Sequence, residues 1–179
     1  MCHPAGNNDQ TAPTSSVVKY VFPERQVEGR RFPKLTLFWH DGGNKPPRPH
    51  DIPADEPYSE EENGTLFVGT KGYISCGTYG GNPLLHPQAR YADYKQPEPW
   101  LERIPGDNPH LEWIRACKGG KPAGSNFEYS GPFTEVVSVG NVAIKSGSPI
   151  IYDAANMRIV NNPDADALLY RNPREGWAY

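Results

Sequence analysis

Alternation dominates the first third of the chain. Between Ser16 and Phe22, Val18, Tyr20 and Phe22 fall on one side, and Val17, Lys19 and Val21 on the other. That period of two predicts a strand with at least one buried face. Lys34–His40 repeats the pattern, with Leu35, Leu37 and Trp39 opposite Thr36, Phe38 and His40. The charged, Pro-bounded stretch 23–33 between them reads as a loop. Two more apolar runs, Thr65–Val68 and Tyr73–Cys76, flank Gly69-Thr70-Lys71-Gly72. A glycine closing so short a connection supplies the positive φ of a tight β-hairpin.

Further along, the period lengthens towards 3.6. Asn108-Pro109 is a cap followed by Pro at the first helical position. Trp113, Ile114 and Cys117 then share one face, predicting a helix with a buried thiol that ends at Gly119-Gly120. Ser125–Glu128 has the spacing of a capping box, but Gly131-Pro132 interrupts it. The stronger helix is therefore expected from Pro132, with Phe133, Val136, Val137, Gly140, Ala143 and Ile144 as its apolar stripe and Gly147 as its stop. Gly140 costs such a helix roughly 1 kcal/mol against Ala, so another element should approach closely there. An edge strand at 150–152 and a short helix opened by Asn162-Pro163-Asp164, anchored by Leu168 and Leu169, complete the pattern. Pro87–Tyr94 suggests one more short helix. The fold class is therefore α+β. It should comprise an open, mainly antiparallel sheet with helices on one face, long Pro-rich loops and an extended C-terminal tail that docks through Trp177.

Composition narrows this. Twenty prolines and 18 glycines among 179 residues imply much rigid loop. Gly43–Asn63 holds five prolines and the cluster Glu60-Glu61-Glu62, and reads as an ordered arm crossing the surface, with a solvated acidic run. The organisation expected is a polar arm over 1–15, one domain over 16–160 and a docking tail over 161–179. A net charge of -3 argues against a nucleic-acid partner. No apolar run approaches the ~20 residues of a membrane span, and no signal peptide opens the chain. A cytoplasmic location is thus the default, with export of a longer parent left open. Three scattered cysteines suit reduced thiols rather than a disulfide framework.

Chemistry is sparse. The glycines of Gly77-Thr78-Tyr79-Gly80-Gly81 have the wrong spacing for a phosphate loop, and Asn82-Pro83 opens no helix behind them. No His or Cys pair has metal-ligand spacing, and no serine sits in Gly-x-Ser-x-Gly. His40-Asp41 makes a poor imidazole–carboxylate pair, because neighbours on an extended chain point to opposite faces. Catalytic, cofactor-binding and metal-binding residues are therefore expected to be absent. Aromatic residues near loops (Trp39, Tyr58, Tyr79, Tyr91, Tyr94, Trp100) suit either sugar rings or a protein interface.

Several stretches, in order along the chain, carry a resemblance. They are Trp39-His40-Asp41-Gly42-Gly43 running to Lys45-Pro46-Pro47-Arg48-Pro49, and Leu66-Phe67-Val68-Gly69 running to Cys76-Gly77-Thr78-Tyr79-Gly80-Gly81-Asn82-Pro83. Glu112-Trp113-Ile114, Ala116–Pro122, Ser125-Asn126-Phe127, Gly140-Asn141-Val142-Ala143 and Arg171–Trp177 continue the series. The chain resembles the C-terminal part of bacterial Gfo/Idh/MocA-type oxidoreductases, the glucose-fructose oxidoreductase and inositol dehydrogenase superfamily. The resemblance implies a sheet domain that covers a sugar or polyol substrate and builds homo-oligomers. Trp39, His40, Asp41, Lys45, Tyr79 and Asn82 would then be its substrate-binding residues. It also implies NAD or NADP as cofactor for a full-length relative, and none in this chain. The family's Rossmann fingerprint, its Glu-Lys-Pro motif and its catalytic His/Asp helix do not occur here, and His40 stands where Tyr is usual. The expectation is a truncated, catalytically inactive portion. The alternative is a free-standing carbohydrate-binding or oligomerisation module.

Overall fold

The computed structural model describes residues 6, 8, 11–57 and 63–177. The expected 1–15 arm, Tyr58 and the acidic run lie largely or wholly outside them. The chain is α+β with open antiparallel sheets, and it forms two compact units, 1–46 with 104–179, and 47–103.

The first unit is built on one long ribbon. Strands β1 (Ser16–Phe22) and β4 (Leu35–Asp41) pair antiparallel from Ser16↔Asp41 to Phe22↔Leu35. The expected loop at 23–33 is instead a second ladder, β2 (Arg25–Val27) against β3 (Arg30–Phe32). Its register, Arg25↔Phe32, continues that of Phe22↔Leu35 without a slip, with Pro23-Glu24 opposite Pro33-Lys34. Proline has no N–H to give a ladder, so the two prolines interrupt the hydrogen bonds but not the alignment. Glu28 and Gly29 turn the ribbon with φ of 48° and 77°, the two positive values a type I′ turn requires.

Helix α1 (Pro109–Cys117) starts where expected, with the Asn108 side-chain Oδ1 accepting from Leu111 N–H at 3.1 Å. Its apolar face is not covered: Trp113 is 56% exposed and the Cys117 thiol is exposed, not core. Helix α2 (Phe127–Ser146) starts five residues before Pro132, capped by Asn126, whose side chain accepts from Tyr129 N–H at 3.2 Å. Pro132 lies inside it, past the four N–H groups a helix leaves free at its start, so the helix forgoes one i→i−4 bond there. Of the apolar stripe, the C-terminal half (Gly140, Ala143, Ile144) is buried, while Phe133 stays exposed. α2 packs on β1, and Gly140 is the point of closest approach. A Cβ there would overlap the Tyr20 hydroxyl and lie 2.9 Å from its Cζ. Gly147 closes the helix in the left-handed region, φ 61°.

The expected edge strand is shifted to β8 (Tyr152–Asp153), paired with β9 (Arg158–Ile159). Helix α3 (Pro163–Ala167) is capped as expected by Asn162, which accepts from Asp164 and Ala165 N–H. Its anchors are the buried Ala165 and Asp166, not Leu168, which is exposed. In the tail, Trp177 is 62% exposed, with the Arg174 guanidinium over its ring, 4.3 Å from the centroid.

In the second unit β5 (Gly64–Val68), β6 (Tyr73–Gly77) and β7 (Leu84–His86) form a three-stranded antiparallel sheet. The predicted hairpin is closed by Gly69 N–H to the Gly72 carbonyl at 2.9 Å. Gly72 has φ 151°, and a Cβ on it would overlap the Tyr91 hydroxyl and sit 2.9 Å from the His86 carbonyl oxygen. The stretch predicted as a helix after the sheet is a short 3-10 turn, Gln88–Tyr91. Within the Pro-rich segment 47–57, Ile52 is buried.

Candidate functional site

The six residues expected to bind substrate divide between the units: Trp39, His40, Asp41 and Lys45 in the first, Tyr79 and Asn82 in the second. Trp39, His40 and Asp41 end β4, and their alternation separates the neighbouring side chains. Asp41 is committed to structure. Its carboxylate accepts from the Ser16 N–H at 2.6 Å and from the Ser16 hydroxyl at 2.8 Å, and Ser16 is fully buried. Gly42 turns away at φ 61°, where a Cβ would overlap Ser15. His40 does not meet Asp41. Its ring lies 6.3 Å from that of Phe38 at 41°, and its Nδ1 is buried with no hydrogen-bond partner. Trp39 presents a half-exposed indole and Lys45 is exposed just beyond the turn. This end of the ribbon offers an aromatic plane, an ammonium and one unused imidazole nitrogen. It offers no carboxylate for acid–base work.

Tyr79 sits at the tip of a turn closed by Gly77 N–H to Gly81 O at 2.9 Å and Gly80 N–H to Gly77 O at 3.0 Å. It is 99% exposed, and Asn82, φ 49°, completes the turn. The glycines therefore build a rigid turn carrying one aromatic ring. No helix follows to complete a phosphate site.

The constellation the sequence did not reveal is Ser75–His86–Glu56. Ser75 Oγ lies 2.8 Å from His86 Nε2, and His86 Nδ1 lies 2.6 Å from Glu56 Oε1. The Glu56 carboxylate also accepts from the Gln88 N–H at 3.0 Å. The connectivity is that of a nucleophile, a base and an orienting acid. The surroundings are wrong for attack: Ser75 is 3% and His86 0% exposed, and Ser75 lies mid-strand between ladders on both sides. Without a route to Oγ, the three groups act as a fastener holding segment 47–57 to β6 and β7. The Asp51 carboxylate adds a second tie, accepting from the Tyr73 hydroxyl at 2.6 Å. That bond holds Asp51 below its ordinary value and raises Tyr73 above its own. Sequence spacing could not have found this cluster, because Glu56 is 30 residues from His86 and sits in a Pro-rich loop.

A depression of about 430 Å³ lies beside β8, β9 and α3. Its polar groups are occupied with one another. The Arg158 guanidinium meets Asp166 at 2.6 Å, Asp166 also accepts from the Ile159 N–H at 2.7 Å, and Asp153 accepts from Asn156 Nδ2 at 2.7 Å. The Arg158 bond holds the Asp166 carboxyl below the usual range. On α2, the Glu135 carboxylate accepts from the Tyr152 hydroxyl, and burial followed by that bond pushes Tyr152 up to about 12. Among the described residues, no group of three or more His, Cys, Asp and Glu could hold a metal ion, and no helix is long and apolar enough to cross a membrane. Compared with known proteins, the sequence matches no family profile and no curated protein.

Proposed function

We propose that the chain is the substrate-covering and oligomerisation portion of an NAD(P)-dependent sugar or polyol oxidoreductase of Gfo/Idh/MocA type, inactive by itself. The observation that carries this reading is the amount of apolar sheet surface left open. On the β1–β4 pair Leu35, Phe38 and Trp39 are 51%, 55% and 48% exposed, and on the second sheet Phe67 and Val68 are 57% and 72% exposed. Contiguous apolar surface left uncovered on a sheet marks an interaction site. Taken singly, the exposed rings of Trp39 in the first unit and Tyr79 in the second are each of a kind that suits stacking on a sugar.

Sedimentation velocity over a concentration series tests the reading. The expected result is reversible self-association through the open sheet faces. A strictly monomeric profile at the highest attainable concentration overturns it. The second reading, a free-standing carbohydrate-binding module, is favoured by the half-exposed indole of Trp39. Calorimetry against monosaccharides and inositols tests it, and an absence of heat across that panel removes it.

A further inference from the structure

Asn63-Gly64 is the one asparagine–glycine pair in the chain, and it stands where the long Pro-rich connection enters β5. Such a pair carries its own reaction. The main-chain nitrogen of the second residue can attack the side-chain carbonyl carbon of the first and close a five-membered ring. Three things hold that reaction back in a folded chain: a Cβ on the second residue, a hydrogen bond from the attacking N–H, or a tethered amide. Glycine removes the first obstacle. The ladder removes the second. Gly69 N–H donates to the Gly72 carbonyl, so bonded pairs recur at 67/74 and 65/76, and Gly64↔Gly77 is an open pair. Gly77 gives its own N–H to the Gly81 carbonyl at 2.9 Å. Gly64 therefore turns its N–H away from β6, and β5 is the edge of its sheet, so no strand lies on that side to accept it.

The third obstacle is missing as well. Asn63 is exposed, and among the described residues its amide has no hydrogen-bond partner. The chain's other asparagines are not placed this way. Asn82, Asn108, Asn162 and Asn172 precede proline, which has no N–H to attack with. Asn156 Nδ2 donates to Asp153 at 2.7 Å, and Asn161 Oδ1 accepts from the Ile151 N–H at 2.6 Å, so both side chains are tethered. The glycine of the pair is also fixed by the fold, because a Cβ at position 64 would overlap the Cys76 carbonyl oxygen.

We propose that Asn63 is a self-modifying site, converted to isoaspartate and aspartate without an enzyme. The Gly64 nitrogen gives its proton to solvent base and bonds to Asn63 Cγ. The Cγ–NH₂ bond breaks, and ammonia leaves with a proton from water. The cyclic imide then takes up one water. Opening at the main-chain carbonyl gives isoaspartate, and opening at Cγ gives aspartate. Either product adds one negative charge to a chain of net charge -3. Isoaspartate also lengthens the main chain by one methylene. That atom enters before Gly64↔Gly77, outside the β5–β6 ladder, so the sheet persists and the product accumulates in folded protein. The inference is independent of the oligomeric reading above.

The test is to age the full chain in mildly alkaline buffer, isolate the folded fraction by gel filtration at intervals, digest it at acidic pH and map the peptides by mass spectrometry. The expected result is the mass gain of an amide-to-acid exchange at residue 63, about tenfold or more faster than at the exposed Asn44, whose following Lys45 carries a Cβ. The rate should climb with pH, and an acidic variant should grow in step on isoelectric focusing. Isoaspartate should exceed aspartate, read by electron-transfer fragmentation and by methyl transfer from S-adenosylmethionine with an isoaspartyl methyltransferase. Asn63→Gln needs a six-membered ring for the same attack and should lose the modification while keeping the wild-type circular dichroism. No mass gain at residue 63, or a gain no faster than at Asn44, refutes the proposal. Aspartate as the sole product means direct hydrolysis by water and refutes the cyclic step. A modified fraction confined to unfolded protein shows that the placement of the pair in the fold is not the cause, and refutes it too.

Discussion

Gly140→Ala places one methyl at the junction on which the first unit depends. Two effects oppose each other. Replacing a glycine inside a 20-residue helix favours folding by about 1 kcal/mol. Against this, the new Cβ would overlap the Tyr20 hydroxyl and stand 2.9 Å from Cζ and 3.5 Å from Cε1. Such overpacking typically costs ~1–3 kcal/mol. Tyr20 cannot swing away cheaply, because its ring stacks on Phe22 at a centroid distance of 6.3 Å and 9° between planes. The cost wins, for a net loss of roughly 1 kcal/mol, or a few degrees in Tm for a chain of this size. Urea unfolding with the m-value held constant reads it directly. Tyr20→Phe removes the overlapped oxygen, so a double-mutant cycle should show that Gly140→Ala is better tolerated in that background, with a coupling above ~0.5 kcal/mol. If Gly140→Ala stabilises the wild type by the full helix-propensity gain, α2 does not sit on β1 as described.

Three further outcomes follow from the polar clusters. His86→Leu leaves the Ser75 hydroxyl and the Glu56 carboxylate without their buried partner. It should cost about 3 kcal/mol and open 47–57 to limited proteolysis, whereas Ser75 in the wild type should resist fluorophosphonate labelling. Asp41→Ala strips both acceptors from the buried Ser16 and should cost about 1–3 kcal/mol, read by chemical denaturation. Tyr152 titrates near 12 in the folded chain, above the usual ~10 of an unfolded tyrosine. Its raised value favours folding below pH ~10, and that contribution is lost as pH rises through about 12. An absorbance titration near 295 nm, a wavelength set by phenolate and not by the fold, should show a late transition for Tyr152, beside the raised Tyr73, that Glu135→Gln moves earlier.

The elements were legible where local chemistry decides them. Asn108 and Asn162 announce α1 and α3 through their caps, Gly147 ends α2, and the alternation of 16–22 and 34–40 marks the main ribbon. Gly140 was readable as a point of close approach, although its partner Tyr20 was not. What escaped depends on residues distant in the chain. Residues 23–33 read as a loop because Pro23 and Pro33 look like breakers, yet they face the opposite strand in a register fixed by β1 and β4. The start of α2 was misplaced because Pro132 resembles an N-terminal proline, whereas Asn126 had already capped the helix. Cys117, Leu168 and Trp177 were assigned to buried positions on hydrophobicity alone, which says what a side chain favours and not what covers it. The Ser75–His86–Glu56 cluster has no linear signature, since the loop that delivers Glu56 is ordered only by the contacts it makes.

The most direct test of the central claim is a titration of the purified chain with NADH and NADPH, followed by nicotinamide fluorescence and calorimetry, up to ~1 mM, the upper end of ordinary KM values. No strand-Gly-x-Gly-x-x-Gly-helix lies within these 179 residues, so the predicted result is no saturable change with either dinucleotide. Saturable, stoichiometric binding of one of them would contradict the account, because the chain would then hold by itself the half of the chemistry assigned elsewhere.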